Sequence, residues 1–149
     1  MNRLFLSVIF FFLFSCSLLT AQNNQTTQKV GNLTVIVSGL KNNKGDVKIG
    51  LFKTKESYDG KKNKFKGAIR RIKNRMTKWE VKKIPFGEYA IKAFHDEDGD
   101  DEIDTNFLGM PTESFGFSNN ARAFFGPPDF EKAKFLFNAD SMRIEVKLR

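Results

Sequence analysis

Met142-Arg143-Ile144-Glu145-Val146-Lys147-Leu148-Arg149 alternates apolar and charged side chains without a break. Successive side chains of a strand point to opposite faces, so this run suits a β-strand with one buried and one wetted face. The same period of two recurs over residues 78–82. Residues 33–38 and 46–52 are β-branched or apolar runs separated by Asn42-Asn43-Lys44-Gly45, where Asn and Gly tolerate the positive φ of a tight turn. Residues 87–95 and 134–137 are apolar on both alternating sets, as central strands are, and Pro85-Phe86-Gly87 links two strands. Residues 67–72 form a weaker strand candidate, its period spoiled by Arg70 and Arg71. Six or seven short strands predict an all-β chain: an antiparallel β-sandwich, immunoglobulin-like or transthyretin-like, with one long aromatic loop insert.

Residues 1–21 read as a secretory signal peptide. Met1-Asn2-Arg3 is a short positive region, Leu4 to Phe14 is an almost unbroken apolar stretch, and Ala21 supplies the small residue before cleavage. The apolar stretch falls short of the about 20 residues that a membrane-spanning helix needs. Leu13-Phe14-Ser15-Cys16 offers an alternative, a lipoprotein box ending at the only cysteine, with a lipid on Cys16 as the one expected membrane attachment. The protein is thus expected to be exported, periplasmic or secreted, with an outer-membrane lipoprotein as the alternative. Residues 22–31 are a flexible polar lead-in, and residues 32–149 are expected to form a single sandwich domain. No disulfide can form within it, so packing, helped by a metal, has to hold it together.

The chain carries 25 Lys and Arg against 17 Asp and Glu, yet seven of those acids crowd into the nine residues from Asp96 to Asp104. Like charges in contact repel by about 1 kcal/mol per pair even in water, so such a run calls for a cation. Asp96, Asp98, Asp100 and Asp104 stand at relative positions 1, 3, 5 and 9, the register of a D-x-D-x-D calcium loop, and Glu102 stands at position 7, where a carbonyl ligates. Calcium is the expected cofactor, with Asp96, Asp98, Asp100, Glu102 and Asp104 as its ligands. Position 6, a glycine in an EF-hand, is Asp101, and position 12, its bidentate Glu, is Phe107. No helices flank the loop, so it is no EF-hand, and Glu113 or a carbonyl of the insert is expected to complete the shell. The alternative is a solvated run paired with the basic body. The densest basic stretch runs from Lys61 to Lys78 without interleaved aromatics for stacking on bases, so nucleic acid is not an expected partner.

The insert spans residues 96–131 and holds Phe107, Phe115, Phe117, Phe124, Phe125 and Phe130 among several Gly and Pro. Structureless loops beyond about 12–15 residues in compact domains are usually functional or disordered, and this one is too aromatic for disorder. It is expected to fold over one end of the sandwich. Its aromatics then either form a satellite core or expose a platform for a ligand, with Phe107, Phe115, Phe117, Phe124 and Phe125 as the candidates.

Asp104-Thr105-Asn106-Phe107-Leu108-Gly109-Met110-Pro111, Glu113, Gly116-Phe117-Ser118-Asn119-Asn120-Ala121, Gly126-Pro127-Pro128 and Phe130 together resemble the signature of an uncharacterised bacterial secreted family, domain of unknown function 2141. Pro85-Phe86-Gly87-Glu88-Tyr89-Ala90 and Phe94-His95-Asp96-Glu97 fit the same pattern, and the resemblance runs from about Leu33 to Leu148. It implies a small exported β-sandwich protein of Gram-negative bacteria with no established activity, hence no catalytic residues to carry over. Similar sequences often have Asn-Gly where this chain has Asp100-Asp101.

Two functions follow as expectations. The first is a non-catalytic binding module that presents a calcium-ordered aromatic loop to a surface glycan, an envelope component or a protein. The alternative is a small periplasmic or surface hydrolase using carboxylates or His95 near the long loop. His95 is the sole histidine, which rules out a His-rich zinc site.

Overall fold

The computed structural model describes residues 28–123 and 126–149. The leader expected at residues 1–21, with Cys16, and most of the lead-in lie outside the described residues. Eight strands form: β1 (Val30–Ser38), β2 (Asp46–Phe52), β3 (Lys66–Arg71), β4 (Thr77–Pro85), β5 (Gly87–Asp96), β6 (Phe115–Phe117), β7 (Phe135–Phe137) and β8 (Ser141–Lys147). Two one-turn helices, α1 (Lys55–Tyr58) and α2 (Phe130–Ala133), and a 3-10 turn at Ser118–Asn120 complete the elements among the described residues. One sheet has the order β4-β1-β8. In the other the order is β3-β2-β5, with β6 and β7 both paired to the far side of β5.

The alternation read from the sequence places the core. Leu33, Val35 and Val37 of β1, Val47, Ile49 and Leu51 of β2, Trp79 and Val81 of β4, and Tyr89, Ile91 and Ala93 of β5 are all buried in one cluster. Pairing is antiparallel as expected except between β1 and β8, which run parallel with Val35 opposite Ile144. The parallel pair arises because residues 138–140 return the chain to the starting end of β1, where the Asn32 N–H donates to the Asp140 carbonyl at 2.8 Å, before β8 sets off.

Beyond β8 the chain leaves its own sheet. Arg149 and Phe115 exchange backbone hydrogen bonds at 3.1 and 3.2 Å, so the two sheets join along this edge. Gly116 makes that approach possible, because a Cβ there would sit 2.7 Å from the Lys147 carbonyl oxygen.

β6 and β7 are two pieces of one interrupted strand. Phe117 pairs with Lys92 and Phe135 with Tyr89, and residues 118–134 loop out between them. Ser118 bridges the interruption: its buried hydroxyl accepts from the Ile91 N–H at 2.8 Å and donates to the Ala133 carbonyl. Alanine at Ser118 leaves both backbone groups buried and unpaired, so it should cost about 1–3 kcal/mol. Urea denaturation should register that loss with the circular dichroism of the native sheet unchanged, and a variant as stable as wild type would exclude the bridging role.

The excursion packs its own small core, in which Tyr58 of α1 meets Phe117, Phe130, Ala133 and Ala90. Tyr58 and Phe130 stack edge to face at 5.7 Å, and the half-buried Lys92 ammonium lies 4.0 Å from the Tyr58 ring centroid. The insert is therefore not one long loop. It contains a strand that a three-residue Phe-Gly-Phe run is too short to announce, and it contributes Phe115, Phe117 and Phe130 to packing.

Candidate metal centre

The acidic run begins where β5 ends. Asp46 of β2 lies opposite Asp96, the last residue of β5, so both strands deliver carboxylates to the same end of the sandwich. Asp96 is fully buried there. One of its oxygens accepts from the Gly99 N–H at 2.8 Å; the other accepts from the Asp101 N–H at 3.3 Å and pairs with the Lys48 ammonium at 3.1 Å. Burial opposes ionisation of Asp96, but Lys48 and the two N–H groups outweigh it and hold the carboxyl below its usual range. Lys48 reaches Asp101 as well.

The loop then folds on its own side chains. Asp98 accepts from the Asp100 N–H at 3.3 Å, and Asp100 accepts from the Glu102 N–H at 2.8 Å. Asp101 takes up the left-handed turn at position 6 with φ of 70°, a conformation that Asp reaches more readily than most residues. Glu113, only 6% exposed, ties the two ends of the loop together: one oxygen accepts from the Glu97 N–H at 2.7 Å and the other from the Asp104 N–H at 3.4 Å.

Two groups of carboxylate oxygens result, each with members within 4.8 Å of one another: Asp96, Asp98 and Asp100, and Asp98, Asp104 and Glu113. Asp98 belongs to both. Four of the five residues expected as ligands thus bring carboxylates together; Glu102, expected through its carbonyl, has an exposed side chain that joins neither group. Glu113 is the further acid that joins Asp98 and Asp104, whereas Phe107, which occupies position 12 in sequence, is 94% exposed. Repulsion from Asp98 above all, then desolvation, then Asp100 and Asp96 raise the Asp104 carboxyl above its ordinary value. All the donors are hard oxygens, which suit calcium or magnesium and not the softer transition metals.

Two residues that hold this end carry no metal-site pattern in the sequence. Lys48 sits mid-strand in β2, and Asn42 donates to Glu97 at 2.9 Å from the β1–β2 turn. His95 is fully buried with Nε2 2.8 Å from the Lys44 carbonyl; since a carbonyl only accepts, Nε2 carries the proton. Its Nδ1 lies 3.6 Å from Glu97, beyond hydrogen-bond reach. His95 therefore pins the β1–β2 turn to β5 and presents no surface to solvent.

Of the aromatic candidates, Phe115 and Phe117 pack edge to face at 5.8 Å against the second core, and Phe107 stands free. Phe124 and Phe125 lie outside the described residues.

The family model described as an uncharacterized protein conserved in bacteria (DUF2141) matches residues 35–145, well over half of the 149-residue chain. No curated protein and no solved structure matches it.

Proposed function

The chain belongs to the DUF2141 family, and from its geometry we propose that it is an exported, non-catalytic β-sandwich binding module whose acidic loop is ordered by calcium. The observation that carries this reading is the convergence of Asp96, Asp98, Asp100 and Asp104 with buried Glu113 from across the loop. These residues would supply the oxygen shell, and the ion would fix the base of the projecting segment beyond Asp104 that meets a surface glycan, envelope component or protein. Export rests on the leader-like residues 1–21, with Cys16 as the alternative lipid anchor.

The finer fold assignment is immunoglobulin-like or transthyretin-like. It is supported by the two facing sheets and by Tyr89, near the start of β5, whose hydroxyl donates to the Pro85 carbonyl four residues upstream at 2.8 Å. Antibody-type sandwiches close a corner in the same manner.

The test is thermal unfolding with calcium, with magnesium and with chelator. Extracellular calcium sites have dissociation constants of about 0.1–1 mM, so 10 mM calcium should stabilise the fold by roughly 1.4–2.7 kcal/mol and raise the midpoint by several degrees. Asp98→Ala, which removes the one acid shared by both groups, should abolish the rise. Superimposable curves in calcium and in chelator would sink the calcium reading.

A further inference from the structure

Beyond Asp104 the loop runs out into an apolar tip. Thr105 bridges to Pro111, and Gly109 turns the chain with φ of 73°. Phe107, Leu108 and Met110 are 94%, 66% and 54% exposed, and Ile103 flanks them at 40%. A monomer gains nothing by holding three large adjacent apolar side chains in water, so the patch marks a contact surface.

The backbone beneath them pairs most of its donors internally. Asn106 accepts from the Leu108 and Met110 N–H groups through its side chain, at 2.9 and 3.1 Å, and from the Gly109 N–H through its carbonyl at 2.8 Å. The Asn106 N–H donates to Met110 and the Thr112 N–H to Asp104, while Pro111 has no N–H. The tip thus pairs the N–H groups of Asn106, Leu108, Gly109, Met110 and Thr112 internally, which lowers the cost of taking them out of water. The neighbouring loops bring exposed Lys41, Lys44, Lys73 and Arg75 to this end, where Lys41 donates to the Thr112 carbonyl at 3.0 Å and the Arg75 N–H to Asn43 at 2.7 Å.

We propose that this tip docks on a phospholipid surface, Phe107, Leu108 and Met110 entering the boundary between headgroups and acyl chains while the basic collar meets the lipid phosphates. The acids at the root of the tip oppose an anionic surface, and calcium would lift that opposition; this calcium dependence alone rests on the function proposed above.

The experiment is sedimentation of the chain from Gln22 onward, which contains every strand of the sandwich, with vesicles of phosphatidylcholine and with vesicles containing phosphatidylglycerol, in calcium and in chelator. Thermal midpoints are taken on the same samples. Burying a large apolar side chain is worth about tenfold in partitioning, so Phe107→Ser with Leu108→Ser should lower vesicle binding about 100-fold at an unchanged midpoint. Failure of the wild type to sediment with either vesicle overturns the proposal and leaves the tip to an apolar protein partner. Equal binding by the double variant overturns it too. A calcium-raised midpoint without sedimentation sinks the tip and spares the metal; sedimentation without any calcium effect on the midpoint does the reverse.

Discussion

Alanine at Gly45 should destabilise the domain by roughly 2–5 kcal/mol, lowering its thermal midpoint by about 10 °C or more. Two independent penalties meet there. Gly45 has φ of 59°, and a Cβ on it would lie 1.9 Å from the Asp96 carbonyl oxygen and 2.8 Å from the Glu97 Cα. No rotamer relieves a collision between a Cβ and backbone, so the β1–β2 turn or the start of the acidic loop has to move. Gly60 and Gly99 isolate the terms, because both have positive φ with nothing within 4 Å of the added carbon. Alanine at either should cost only the conformational part, about 1–2 kcal/mol. Equal losses at Gly45 and Gly60 in urea titrations would show that the turn does not bear on Asp96.

Asp96→Ala removes a buried carboxylate, strands the N–H groups of Gly99 and Asp101, and leaves the Lys48 ammonium only the exposed Asp101. Each buried N–H left without an acceptor costs about 1–3 kcal/mol, and Asp96→Asn, which keeps an acceptor for the N–H groups, should lose less. The effect carries a pH signature. The folded-state pKa of Asp96 lies below 3.8, so its contribution is in place above 3.8 and disappears as the pH falls through the folded value. The gap between wild type and Asp96→Ala should therefore be widest at neutral pH and close in strong acid. Asp104 works with the opposite sign: its folded-state pKa lies above 3.8, so it favours the fold below 3.8 and withdraws that support as the pH rises through the folded value. In chelator, Asp104→Asn should consequently gain on wild type between acid and neutral pH. A gap for Asp96→Ala that stays constant from pH 7 to strong acid would contradict the assignment of the carboxylate as the charged partner.

What could be read in advance follows the range of each interaction. β2 coincides with the run expected at residues 46–52, and β8 takes in the alternating run from Met142 as far as Lys147, because period and turn chemistry are local properties. The acids at positions 1, 3, 5 and 9 were legible for the same reason. Glu113 is legible only as one way among others to complete the shell, since its place depends on the path of the 18 residues between β5 and the strand it precedes. The parallel direction of β8 beside β1 has no local signature, because side-chain alternation is the same for either direction. Nor has the Ser118 bridge: a serine carries no mark that its hydroxyl will stand in for a missing link of a sheet. Phe115 and Phe117 read as loop aromatics because a three-residue strand is too short to display a period.

The β1–β8 pair has a consequence for how the protein comes into being. Val35 acquires its neighbour Ile144 only after more than a hundred intervening residues have been made, so the first sheet gains its third strand last. Pairings this distant along the chain fold slowly, because loop closure must precede the contacts that reward it. A nascent chain lacking β8 leaves one edge of β1 without its ladder and the apolar faces of its sheet without Val146 and Leu148. For a polypeptide exported as proposed, slow closure of this pair would favour a chain that is still unfolded when it meets the membrane.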